Sequence, residues 1–201
     1  MYFQVFKTCN GTEIDGRRYK FNINFAEDGE VPVELRAPFY DDACVPDGIP
    51  GAGALNVAQY EAFQIYFLGS EGYFLRIDIG PYGHYAVFLG DTKGTIFKND
   101  LMLSYASNMD RYRDDWTATL RFPADYFPRS VSSLNAYARH GRGASRQVLA
   151  LFPPMQPTCD TERPDFESFE PFDVLRIDPA FDQKSRSETW KRAFEGKDKT
   201  V

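Results

Sequence analysis

Eight side chains carry the clearest prospect of chemistry in this sequence: Gln64, Tyr66, Arg76, Asp78, Arg121, Asn135, Tyr137 and Arg139. They fall at alternate positions of four segments whose intervening residues are mostly apolar, so a period-2 backbone turns them away from a core. On 60–68, Gln64 and Tyr66 oppose Phe63, Ile65 and Phe67. On 73–79, Arg76 and Asp78 oppose Leu75, Ile77 and Ile79. Arg121 opposes Trp116, Ala118, Leu120 and Phe122, while Asn135, Tyr137 and Arg139 oppose Leu134, Ala136 and Ala138. If these segments share a sheet, its outer face sets rings beside guanidinium, carboxylate and amide groups. That suits a saccharide or another small polar ligand, because rings stack on the apolar face of a sugar and planar polar groups pair with its hydroxyls. An ordinary solvated face, with cross-strand ion pairs such as Arg76 or Arg121 to Asp78, uses the same residues.

Other residues offer other chemistry. His84 and His140 each stand near a glycine at a strand end, and a catalytic pair would need a nucleophile motif that is missing. Cys44, in a loop rich in proline and glycine, is a conceivable nucleophile. Cys9, Cys44 and Cys159 are scattered and form no CxxC, which argues against zinc or a disulfide framework and for reduced thiols. Neither a metal nor a cofactor is expected. The one basic cluster, Arg139, His140, Arg142 and Arg146, suits a phosphate or RNA patch, or simply a solubilising hairpin loop. There is no P-loop, GxGxxG, GxSxG or HExxH.

The elements that must position these residues are strands. YKFNINF at 19–25 alternates strictly, and 2–7 and 31–37 suit further strands, the last at an edge or a strand start because of Pro32. Residues 38–56 hold three prolines and three glycines without periodicity, which reads as a long irregular loop. The strands 60–68, 73–79 and 84–89 follow, joined by GSEG and GPYG, the spacing of antiparallel hairpins. Short strands at 95–98 and 101–106, a strand at 116–122, a helical turn in PADYFP, and a strand pair at 134–140 and 147–151 complete the pattern. In the tail, Ser185 and Glu188 can form a capping box, and Trp190, Ala193 and Phe194 share one helical face. The pattern predicts an all-β, antiparallel two-sheet β-sandwich over 1–178, with a charged tail and short helix over 179–201. Trp190 and Phe194 would fold back on the sandwich or dock on a protein partner.

Composition bounds the function classes. The 201 residues are 43% hydrophobic and 26% charged, a globular balance, and 16% aromatic content with 15 Gly and 13 Pro is a β-sheet vocabulary. A formal net charge of −6 argues against nucleic acid or an anionic membrane as the main partner. No apolar run approaches the roughly twenty residues of a membrane span. The start, MYFQVFKTCNG, lacks a basic n-region and an apolar h-region, which points to the cytoplasm.

Several stretches also carry a resemblance. FQVFKTCNG, the APFYDD loop with IPG, QYEAFQIYFL, YFLRIDIGPYGHYAVFL, Trp116, DYFP, LNAYARHG with ALFP, and RPDF at 163–166 resemble uncharacterised protein family 0462, across residues 1–175. That family includes homologues of a human chromosome 4 open-reading-frame protein. More distantly, the central strands with their GPxG turn are similar to carbohydrate-binding module family nine and its cytochrome-binding, DOMON-like relatives. Those are β-sandwiches that bind sugars or haem on one face. The resemblance implies a non-catalytic binding module of sandwich fold. Gln64 stands where those families usually place a second acidic residue, which weakens a metal or hydroxyl role for that position. A structural subunit of a larger assembly and a hydrolase-like enzyme are the alternatives.

Overall fold

Side chains that alternate between core and surface account for most of the secondary structure. The computed structural model describes residues 1–24, 26, 28–42, 45–155, 160–171 and 185–197. Its strands are β1 (Tyr2–Val5), β2 (Lys7–Thr8), β3 (Tyr19–Ile23), β4 (Glu30–Pro38), β5 (Ala62–Gly69), β6 (Tyr73–Ile79) and β7 (Tyr85–Asp91). They continue as β8 (Ile96–Lys98), β9 (Ser104–Asp110), β10 (Asp115–Pro123), β11 (Val131–His140), β12 (Gln147–Ala150) and β13 (Glu170–Pro171), and the chain ends with helix α1 (Glu188–Lys197). One sheet has the order β1-β3-β4-β10-β9. The larger has the order β2-β12-β11-β5-β6-β7-β8, with β13 alongside β11. All of these strand pairings are antiparallel, so the chain is an antiparallel two-sheet β-sandwich with one short C-terminal helix.

The two inner faces interlock through aromatic rings. Phe63 meets Phe21 edge-on at 5.2 Å, and Phe67 meets Phe122 at 6.0 Å. Trp116, Leu120 and Phe122 of β10 and Leu75 and Ile77 of β6 are buried in the same cluster. The GPYG turn between β6 and β7 needs its second glycine. Gly83 has φ +84°, and a Cβ there would lie 2.9 Å from the Cβ of Pro50 in the long loop.

Three expectations are corrected. Strand β10 lies in the smaller sheet, between β4 and β9, so Arg121 is not on the face that carries Asp78. Its cross-strand partners are Pro32 and Ser104, and its ion pair is with Asp28 at 3.5 Å. The alternation gave the parity of that strand correctly, but parity does not say which sheet a strand joins. Ser187, rather than Ser185, caps the helix, with its Oγ accepting from the Trp190 N–H at 3.4 Å. Cys9 is disulfide-bonded, against the expectation of reduced thiols. Cys44, Cys159 and the expected boundary at 178–179 lie outside the described residues. No helix among the described residues is long and apolar enough to cross a membrane.

The tail rings expected to meet a partner or fold back pack on the chain's own sandwich. Trp190 is 1% exposed, and its Nε1–H donates to the Tyr126 carbonyl at 3.1 Å. Its ring lies 5.7 Å from Tyr73 and 5.9 Å from Phe194. Arg186 stacks over Phe194 at 4.8 Å and reaches Glu71 at 3.2 Å. Trp190→Ala is therefore expected to lower unfolding free energy by about 3–5 kcal/mol, measured by urea denaturation. An unchanged midpoint would mean that the helix is not docked in solution.

Candidate functional site

Register brings seven of the eight predicted residues together on the outer face of the larger sheet. Gln64 lies opposite Asp78 and Tyr137, and Tyr66 lies opposite Arg76 and Asn135, with Arg139 next along β11. Arg121 is the exception, on the other sheet. The face is not open, however. Gln64, Tyr66, Asp78 and Asn135 are each 0% exposed, and Arg76 is 7% exposed. A third layer of irregular chain covers them. From the 3-10 turn Phe166–Ser168 and its flank, Phe166 and Phe169 pack on Tyr66 at 6.2 and 5.9 Å. The Tyr66 hydroxyl donates to the Thr161 carbonyl at 2.8 Å. Asn135 exchanges hydrogen bonds with the Phe152 backbone, donating at 2.8 Å and accepting at 3.1 Å.

At the centre is a buried ion pair. Arg76 Nε donates to Asp78 Oδ1 at 2.8 Å, and Arg76 Nη2 donates to Asp78 Oδ2 at 2.6 Å. Gln64 Nε2 donates to the same Oδ1 at 3.0 Å. Burial lowers the guanidinium's pKa, but Asp78 more than offsets this and leaves it above its ordinary value. Burial pushes the Tyr66 and Tyr137 hydroxyls well up, so both stay neutral. The Arg76 plane lies 4.6 Å from the centre of the Phe88 ring on β7.

Beside this pair the third layer parts into a cleft of about 640 Å³. Its floor is Phe74, Arg76 and Phe88; its walls are Leu55, Asn56 and Gln59 on one side and Glu162, Arg163, Pro164 and Phe166 on the other. The β7–β8 turn closes one end with Asp91 and Lys93. Asp91 Oδ1 shapes that turn by accepting the Lys93 and Thr95 N–H groups at 3.0 and 2.9 Å. Gly90 is required beneath it, because a Cβ there would lie 2.6 Å from the Phe74 ring. The Gln59 wall is tied down from β11 and the loop after it. Arg139 Nη1 donates to the Ala58 carbonyl, and Arg146 Nη2 donates to the Gln59 carbonyl at 2.6 Å. Burial, followed by the nearby Arg146 charge, lowers the Arg139 pKa. Of the residues predicted as ligand contacts, Arg76 alone lines the cleft; the other six on this sheet lie beneath it or brace its wall.

No protein-family profile matches the chain. A UPF0462 protein C4orf33 homologue from Danio rerio is 31% identical over 174 residues, spanning 86% of this chain and 87% of that protein. The chain belongs to the UPF0462 family. The Homo sapiens UPF0462 protein C4orf33 is 30% identical over 175 residues, covering 86% of each chain. Among solved structures, a carbohydrate-binding-type protein from Bacteroides uniformis superposes with a TM-score of 0.61 at 11% identity, over 85% of this chain and 84% of that one. A family-nine carbohydrate-binding module from Caldicellulosiruptor kristjanssonii, solved with glucose, superposes at 0.46 with 11% identity, over 76% and 74% of the two chains. At 11% identity the first likeness shows the sandwich fold and nothing finer.

In this UPF0462 chain the remaining candidates have separate surroundings. His140 stacks flat on Tyr40 at 3.5 Å, and its Nε2 lies 3.1 Å from Gln147 Oε1. His84 is buried, with Nε2 3.4 Å from the Gly48 carbonyl, and no hydrogen bond joins the two rings among the described residues. Sequence reasoning missed Glu61, which follows the turn of the cleft wall. Its Oε1 accepts the Tyr40 N–H at 3.1 Å and so pins the start of the long loop. Phe88, Lys93, Glu162 and Phe166 were also missed; only their position in the cleft lining marks them.

Two outcomes follow for stability. Asp78→Ala strands the Arg76 guanidinium in a buried site and is expected to cost about 3–5 kcal/mol, whereas replacing both partners with apolar residues is expected to cost less. Urea titration of the two single variants and the double variant measures the difference. Burial raises the Glu61 carboxyl from 4.5 to about 7. A raised folded-state pKa means that stability is fully present below 4.5 and lost as pH rises through about 7. The loss amounts to about 3 kcal/mol. Glu61→Gln should flatten that slope, as read from melts between pH 4.5 and 8.

Proposed function

We propose that this UPF0462 chain is a non-catalytic binding module for a saccharide or a similarly small polar ligand, seated in the cleft above Arg76 and Phe88. The observation that carries the reading is the cleft itself, about 640 Å³ with aromatic and polar side chains interleaved around it. Phe166, half-buried and backed by Phe74 stacked on it at 5.5 Å, offers ring surface for the apolar face of a sugar, with Phe88 beside it. Asp78 holds Nε and Nη2 of Arg76 on one side, and the guanidinium lines the cleft, where it can meet a ligand hydroxyl. Asn56, Gln59, Lys93 and Glu162 supply amide, ammonium and carboxylate groups around the rim.

Gln64, Tyr66, Asp78, Asn135, Tyr137 and Arg139 act in this reading by fixing Arg76 and the walls, without touching the ligand. The sandwich body to about residue 178 is the binding unit, and the tail from 179 braces it through α1. The designation of the Bacteroides uniformis protein of like fold, as a carbohydrate-binding protein by name alone, supports the class of ligand only by analogy.

The test is a panel of mono- and oligosaccharides at millimolar concentration, read as a rise in melting temperature and then by calorimetry. Arg76→Ala should abolish the shift but also disturbs the buried pair. The rim variants Lys93→Ala and Glu162→Ala avoid that difficulty; each is expected to weaken binding about tenfold, or about 1.4 kcal/mol, with the free protein's melting unchanged. No shift with any sugar would overturn the reading.

A further inference from the structure

The smaller sheet carries a second concavity with a different chemistry. It has a volume of about 550 Å³ and is lined by Arg17, Arg18, Lys20 and Arg36, with Asp115 as its one carboxylate. Four cations meeting here stand out in a chain whose net charge is −6. Sequence reading singled out a different basic cluster, because Arg36 is remote from 17–20 along the chain. Register brings them together: Lys20 on β3 lies directly opposite Arg36 on β4. Like charges directly opposite each other in an antiparallel pair are destabilising.

Local contacts hold the group without neutralising it. Arg17 is fixed by the hairpin between β9 and β10: Nη1 donates to the Arg113 carbonyl and, at 2.5 Å, to the Asp114 carbonyl, and Nη2 reaches Asp114 Oδ2 at 3.3 Å. Arg36 Nη2 donates to Asp115 Oδ2 at 2.8 Å, and Arg17 Nη1 reaches the other Asp115 oxygen at 3.3 Å. One carboxylate is therefore shared by two guanidinium groups. Arg18 stacks on the Phe6 ring at 4.1 Å and, among the described residues, donates only to the neutral Gln4 Oε1, at 3.3 Å. Among the described residues, Lys20 has no ion-pair partner. Glu34, the next carboxylate along this face of β4, stands across from Asn22 and Thr119.

We infer that this concavity is an anion site for a small ligand bearing a phosphate group, with Arg18, Lys20 and Arg36 as its contacts and Arg17 as a fixed charge behind them. The guanidinium groups of Arg18 and Arg36 offer planar pairs of donors, which match phosphate oxygens, and Lys20 adds a point charge between them. A bound phosphate relieves the Lys20–Arg36 repulsion, so the ligand supplies what the sheet lacks. The site is on the other sheet from the cleft above Arg76 and does not depend on saccharide binding there.

Inorganic pyrophosphate is the probe, titrated into the full chain by calorimetry, with sodium chloride at matched ionic strength as the control. Saturable binding that chloride does not reproduce is expected. Lys20→Glu should weaken it about tenfold or more, the loss of a charge-assisted contact. Arg18→Gln should weaken it too, while Lys191→Glu on α1 should leave it unchanged. A sugar monophosphate and a phosphoserine peptide, run in parallel, distinguish a metabolite from a modified side chain as the source of the phosphate. Three results overturn the inference: no heat beyond the chloride control, Lys20→Glu binding like the wild type, or Lys191→Glu weakening binding equally.

Discussion

Burying a guanidinium and a carboxylate costs several kcal/mol per ion unless geometry and further hydrogen bonds compensate. The Arg76–Asp78 pair therefore sets terms that the rest of the larger sheet must meet. Cross-strand register supplies the first of them, since Gln64 lies opposite Asp78 and donates to it, and Tyr66 lies opposite Arg76. The covering layer supplies the rest. Tyr66 finds the Thr161 carbonyl, Asn135 finds the Phe152 backbone, and Arg139 finds the Ala58 carbonyl. Each is a polar group of the sheet meeting backbone of an irregular segment, so sheet and cover satisfy one another. A loop elsewhere in a sandwich can drift; these segments are held at named atoms.

That mutual satisfaction explains why the cleft is a cleft. The cover is anchored on two flanks, around 57–59 and around 161–169, and between them only side chains of the sheet form the floor. Phe88, on the next strand, borders the cleft, whereas Phe74 is stacked under Phe166 at 5.5 Å and Tyr66 is roofed by Phe166 and Phe169. Arg76 sits at the border, bound to Asp78 on its inner side and lining the cleft on its outer side. A guanidinium fixed in that way loses little rotamer freedom when it meets a ligand.

The legible part of the sequence was parity. Alternation separated Phe63, Ile65 and Phe67 from Gln64 and Tyr66, and the structure keeps that division with the first three in the core between the sheets. Short turns such as GSEG and GPYG tied neighbouring strands into hairpins, and the sandwich class followed. Long-range facts were not legible. Arg121 has the right parity and the wrong sheet, since β10 pairs with β4, a strand far from it in sequence. The cover could not be seen because 152–155 and 160–169 have no period; its Phe166 and Phe169 carry no signal of what they pack against. Arg17, Arg18 and Lys20 were visible as residues, but their meeting with Arg36 depends on the β3–β4 register.

The two outer faces also show opposite solutions to one electrostatic problem. On the larger sheet, Arg76 and Asp78 are brought inside, paired ion to ion, and roofed. On the smaller sheet charges stay in water, where Arg36 is 62% exposed at its side chain and solvent screens repulsion with Lys20. Screening makes that arrangement tolerable but does not favour it, because a neutral side chain at either position would remove the repulsion without disturbing the core. Trp116, Ala118 and Leu120 face inward from β10 whatever stands on its outer side, so the fold imposes no cation at 20 or 36. The roofed pair, by contrast, is imposed by the fold once Asp78 is buried, since an ionised carboxylate there requires a cation beside it. The larger sheet's charges thus follow from its architecture, whereas the smaller sheet's charges call for a reason outside it.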